Sequence, residues 1–225
     1  MTDSAPDLLP GSLPLPPADA PITTLFTDVG GVLLTNGWDR KARRLACDTF
    51  HLDYEDIDER HHLSFDTYEE GKLTLDQYLD QVIFHAPRSF SHADFRTFMY
   101  AQSQPYPDMI ALVKAVKQLN QLRLVVVSNE GRELTTHRVE QFGLREFVDA
   151  FIFSSFVHFR KPDADIYRLA LDVSQESPTQ SLYIDDRPLF VQIANSLGIR
   201  SFVHSGLEST RTKFAAYGLK VPPAV

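Results

Sequence analysis

Residues 25–34 read LFTDVGGVLL. An apolar run ends on one acid, Asp28, and then on two glycines, Gly30 and Gly31. Apolar residues without strict alternation mark a strand buried on both faces, as in the middle of a parallel sheet. A carboxylate at the end of such a strand gains nothing from packing, because burying an ionised group is costly unless a partner compensates it. The stretch therefore says where the sheet begins and asks what Asp28 does there.

Working outward, residues 22–29 form the first predicted strand. The runs QLRLVVVSN (121–129), DAFIFSS (149–155), SLYIDD (181–186) and RSFVHS (200–205) are the others. Helical patterns lie between them at 107–119, 131–143, 163–173 and 188–198. Pro107 and Asp163 stand where helix starts want them, and Gly143 and Gly198 where helices stop. Strands alternating with helices predict an α/β fold, a Rossmann-like doubly wound parallel sheet.

Residues 36–104 break the alternation with helical segments only, too long for a plain connection. They read as a small all-α cap inserted after the first strand, over the carboxyl edge where open α/β sheets bind ligands. The expected organisation is a flexible Pro-rich arm over 1–21, a catalytic core from 22–35 and 105–225, and the cap over 36–104.

The 225 residues suffice for one core with a small accessory domain. A net charge of -8 without a long basic run disfavours sequence-independent binding to nucleic acid or anionic membrane. The single cysteine, Cys47, excludes an intrachain disulfide framework and fits a reducing compartment. No window spans a bilayer, and the N-terminus lacks the basic start of a secretory signal, so a cytoplasmic protein is expected.

Four segments bring polar groups to what would be one sheet edge. Asp28 ends the first strand, Ser128 and Asn129 the second, Lys161 follows the third, and Asp185 and Asp186 end the fourth. Singly each has a bland explanation: a turn acid, ordinary Ser-Asn turn chemistry, a solvated lysine, a loop facing water. Their order and complementary chemistry lift the set. FTDVGGVLL, VVVSNEG, RKPDADIY and YIDDRP, with EEGKLTLDQYL in the cap, resemble the motifs of the haloacid dehalogenase (HAD) superfamily, in its helical-cap branch.

That resemblance implies Mg²⁺-dependent phosphatase chemistry on a small phosphorylated metabolite, such as a sugar phosphate. Asp28 would attack phosphorus and form an aspartyl-phosphate. Mg²⁺ would be held by Asp28, the Gly30 carbonyl and Asp185, with Asp186 close by. Ser128, Asn129, Gly31 and Lys161 would bind the phosphoryl group, Lys161 supplying positive charge. Gly30 departs from the family pattern, which places a second Asp there as general acid and base, help worth about 10²–10⁴-fold. Two alternatives stay open: a binding or regulatory protein that has lost efficient catalysis, and a haloacid dehalogenase, whose halide leaves without a proton.

Several tempting features read as structural. His51, His61, His62, His85 and His92 lack the spacing of a zinc site. Trp38, Arg40, Lys41, Arg43 and Arg44 read as a basic cap helix with an aromatic anchor, or as the wall that meets the rest of a substrate. His137 and Arg138 are expected at the surface, Tyr106 and Phe156 in the core or an interface. An apolar cap face would let two copies pair as a homodimer.

Overall fold

The computed structural model describes residues 20–223. The arm expected over 1–21 therefore lies almost wholly outside the described residues. Five strands run parallel: β1 (Thr24–Thr27), β2 (Arg123–Ser128), β3 (Ala150–Phe153), β4 (Ser181–Asp185) and β5 (Arg200–Val203). Their order is β3-β2-β1-β4-β5. The chain moves from β1 through β2 to β3, then returns to the other side of β1 for β4 and β5. The order reverses at β1, and such a switch point leaves a crevice at the carboxyl ends.

Strand side chains alternate between faces. Leu25, Leu124, Val126, Leu182 and Ile184 enter one apolar cluster, while Phe26, Val125, Val127 and Tyr183 enter another. The first cluster is covered by α5 (Pro107–Asn120) and α10 (Leu207–Ala216). The second is covered by α8 (Ala164–Ser174) and α9 (Pro188–Ser196). A sheet with helices on both faces explains why its strands read as continuous apolar runs.

Between β1 and α5 lie α1 (Arg40–Phe50), α2 (Tyr54–Glu69), α3 (Leu75–Val82) and α4 (His92–Ala101). They share an apolar cluster of their own, including Trp38, Tyr78, Leu79 and Phe95. Trp38 is an anchor here, its Nε1 donating to Tyr78 Oη at 2.9 Å. Asp39, Asp53, Thr74 and Ser91 cap the four helices in turn with side-chain oxygens.

The strands are shorter than their apolar runs. After Thr27 the chain turns, and Leu33 and Leu34 both donate to the Val29 carbonyl at 2.9 Å. The third run breaks at Ser154, which opens a one-turn helix, α7 (Ser154–Val157). Helix α10 has no counterpart among the predicted elements. Only Thr210 and Phe214 of its residues are buried, which leaves a weak apolar stripe. Between β2 and β3 runs α6 (Arg132–Gln141).

One surface assignment changes: Arg138, expected outside, is 1% exposed. Tyr106 and Phe156 lie outside the core, 40% and 45% exposed. Arg138 turns inward because Glu130 is buried beside it, 2.7 Å from its Nη1. Phe156 lies instead under the Arg132 guanidinium, 4.2 Å from ring to carbon.

Candidate active site

Three adjacent strands carry the central acids and the serine. Asp28 follows β1, Ser128 ends β2 and Asp185 ends β4. The Asp28 N–H donates to the Ile184 carbonyl at 2.9 Å, which holds the β1 and β4 ends side by side. Lys161 comes from the segment between α7 and α8. Asn129 brings it in: its Oδ1 accepts from the Lys161 N–H and its Nδ2 donates to the Lys161 carbonyl, both at 2.8 Å. The bland reading of Lys161 as solvated is overturned, since the residue is 0% exposed.

The Lys161 ammonium lies 3.1 Å from Asp28 Oδ2 and 2.6 Å from Asp185 Oδ2. It also donates to Tyr183 Oη at 3.1 Å, and the Tyr183 hydroxyl in turn donates to Asp185 Oδ2. Burial alone would lower the ammonium's pKa, but Asp28 and Asp185 outweigh it and hold the pKa above its ordinary value. Lys161 is therefore a fixed positive charge. Burial pushes Asp28 the other way, from 3.8 to about 7, with Lys161 opposing and Asp185 assisting. Ser128, 1% exposed, lowers it slightly by a hydrogen bond.

Asp28, Asp185 and Asp186 each bring a carboxylate oxygen within 4.8 Å of the others. Among the described residues this is the one cluster of acids, histidines or cysteines arranged to share an ion. Asp186 packs on Gly31, where an added Cβ would lie 2.3 Å from Asp186 Oδ2. Its other oxygen, Oδ1, is buried with no hydrogen-bond partner among the described residues. Burial and Asp185 together raise the Asp186 pKa. One ammonium does not balance three clustered acids, and a carboxylate oxygen is left over. An oxygen-preferring divalent cation fits that donor set.

The histidines make no such site. His61 Nδ1 bonds Tyr78 Oη at 2.8 Å, while His85 and His92 pair with Asp56 and Asp80. Burial, with the nearby Arg43 charge, lowers His61 to about 3, so it is neutral. Cys47 is buried and pushed up to about 11 chiefly by burial, so it is no nucleophile.

A cavity of about 370 Å³ opens over the strand ends, walled below by Asp28, Ser128 and Lys161 and above by Trp38, Tyr68 and Glu69. Arg160 ties the two walls together, 2.9 Å from Asp66 and 2.6 Å from Glu69 on α2. The Tyr68 ring rests on Gly131, where any Cβ would lie 2.0 Å from it. Behind the Ser128 loop, Arg138 joins Glu130, the Ser103 hydroxyl at 3.0 Å and the Thr35 carbonyl at 3.0 Å. It thereby links that loop to both chain crossings into the inserted helices. Sequence reasoning missed Glu130, Arg138, Glu69, Arg160 and Tyr183. Tyr183 alone carried a signal, since residues two apart on a strand share a face and Tyr183 shares that of Asp185.

Residues 22–198 match the haloacid dehalogenase-like hydrolase family. The chain belongs to that family. The HAD-family fold is also that of a HAD family enzyme from Bacteroides thetaiotaomicron, solved with magnesium and inorganic phosphate. The two share 18% identity at a TM-score of 0.69, over 83% of this chain and 96% of that one. A HAD-like family hydrolase from Porphyromonas gingivalis is similar at 19% identity and a TM-score of 0.67, over 87% of this chain and 98% of its own. The defluorinating L-2-haloacid dehalogenase Rha0230 is also similar, at 17% identity and a TM-score of 0.58 over 80% of each chain. Among the described residues, no helix of this HAD-family chain is long and apolar enough to cross a membrane.

Proposed function

We propose that the chain is a Mg²⁺-dependent phosphatase that cleaves a small phosphorylated metabolite through an aspartyl-phosphate on Asp28. The observation that carries this reading is the buried Lys161 ammonium between Asp28 and Asp185, with Asp186 completing a three-carboxylate cluster. Phosphoryl transfer is mostly positioning and charge neutralisation, and this arrangement supplies both. The B. thetaiotaomicron enzyme's complex with magnesium and phosphate supports it.

Asp28, the Gly30 carbonyl, Asp185 and Asp186 are the groups that would hold the cation. Bound there, Mg²⁺ would neutralise charge between the carboxylate and an incoming phosphate. In the first step an Asp28 oxygen bonds to phosphorus while the ester P–O bond breaks, its electron pair leaving with the oxygen. Water then attacks phosphorus and releases Asp28 and inorganic phosphate. Lys161 holds positive charge at the phosphoryl oxygens throughout, with Ser128, the Asn129 backbone and Gly31 around them. Dehalogenation needs a carboxylate attacking carbon but has no use for the Asp185–Asp186 pair, whose leftover oxygen asks for a cation.

The test is hydrolysis of aryl phosphates by purified protein, with Mg²⁺ or EDTA, beside Asp28→Asn. Turnover is expected to require Mg²⁺ and to fall at least about 10³-fold in the variant. Release of halide from 2-haloacids in EDTA, without phosphate release, would reverse the assignment.

A further inference from the structure

Residue 30 carries no side chain, and the space such a side chain would enter is taken. A Cβ built on Gly30 would lie 2.9 Å from Asn36 Oδ1, 3.6 Å from Asn36 Cα and 3.8 Å from Asn36 Cγ. All three atoms belong to one residue, so Asn36 stands where residue 30 would project. It lines the same cavity as Asp28, Gly30, Ser128 and Lys161. It neighbours Asp186, and its amide opposes the burial and the Asp185 charge that raise that carboxyl.

The backbone around Asn36 is pinned. The Thr35 N–H donates to the Gln104 carbonyl at 2.8 Å, and the Trp38 N–H donates to the Asn36 carbonyl at 2.8 Å. Thr35 Oγ1 donates to the Gln102 carbonyl at 2.7 Å, and Arg138 holds the Thr35 carbonyl at 3.0 Å. The amide is thus presented by a fixed loop. An amide nitrogen carries two N–H donors. The nitrogen can give one to Asp186 and the other to a substrate atom.

Resting on the phosphatase reading, we propose that Asn36 assists the leaving group from the place where an acid at residue 30 would act. Its second N–H donates to the ester oxygen as the P–O bond breaks. That oxygen departs with the bonding electron pair as an oxyanion, and solvent water protonates it afterwards. A neutral amide stabilises developing charge without delivering a proton. The substrates that suit this site are esters whose leaving oxygen bears charge well: aryl, acyl or anomeric phosphates.

The experiment measures kcat/KM for aryl phosphates of graded leaving-group acidity and one simple alkyl phosphate, for wild type and Asn36→Ala at saturating Mg²⁺. The Mg²⁺ requirement of both proteins is titrated in parallel. The variant is expected to lose about 10–100-fold on the alkyl ester and less than about threefold on p-nitrophenyl phosphate. Its dependence on leaving-group acidity therefore steepens. A uniform loss across the series, or a raised Mg²⁺ requirement with an unchanged slope, would show that Asn36 acts only through Asp186 and overturn the proposal while leaving the phosphatase reading intact. Absence of any Asp28-dependent hydrolysis by wild type removes that reading and this proposal together.

Discussion

Replacing Asp28 by Asn in metal-free protein is expected to stabilise the fold at pH 8, although the change removes the proposed nucleophile. Asp28 is 7% exposed, and burial raises its carboxyl from 3.8 to about 7 against the pull of Lys161. Between those two values the folded state binds more protons than the unfolded state, so stability falls as pH rises. Each pH unit of that gap is worth about 1.4 kcal/mol, or about 4 kcal/mol in all. The amide introduced by Asp28→Asn cannot ionise, and Lys161 keeps Asp185 at 2.6 Å. The variant's advantage should grow from about 1–2 kcal/mol at pH 5 to about 4 kcal/mol at pH 8. Urea denaturation in EDTA at both pH values measures it, as a midpoint about 1–2 M higher for the variant at pH 8. Added Mg²⁺ should narrow the gap by stabilising wild type, by about 2.7 kcal/mol at one hundred times its Kd. A difference that stays constant with pH, or a wild type more stable at pH 8 in EDTA, would refute the reasoning.

Lys161→Met strips the buried acids of their ammonium and should cost about 3–5 kcal/mol as well as turnover; an unchanged melting temperature in EDTA would mean the ammonium does not hold Asp28 and Asp185 together. Gly31→Ala puts a side chain at φ +73° and 2.3 Å from Asp186 Oδ2. Asp186 must then move, and Mg²⁺ affinity by calorimetry should fall about 10–100-fold. Arg138→Met leaves Glu130 buried without its 2.7 Å partner and should cost about 3–5 kcal/mol. Adding Glu130→Gln should recover most of it in chemical denaturation, since the unpaired charge is gone. Equal losses in the single and double variants would mean that packing, not charge, sets the cost.

Much of this architecture was legible along the chain. Val125 and Val127 pack on one face of the sheet and Leu124 and Val126 on the other, so the apolar run of β2 announced a strand covered on both sides. Asp28, Ser128, Lys161 and Asp185 stood out because each interrupts or follows such a run. Other pieces left no trace. Nothing in FRKPDADIY says that Lys161 is fully buried, because the groups that bury it come from β1, β4 and Asn129. Glu130 and Arg138 look like surface residues of a helix start and a helix until each is seen to neutralise the other.

The amino-acid order by itself determined the five strands, most of the helices and the identity of the polar groups at the strand ends, since periodicity and turn chemistry act between residues a few positions apart. Only the tertiary structure decided that Asp28, Lys161 and Asp185 share one desolvated point, that Asn36 fills the space beside Gly30, and that Asp28 titrates near neutrality. The reason is that Coulomb interaction and desolvation depend on distance through space and on excluded water. Neither can be read from separation along the chain.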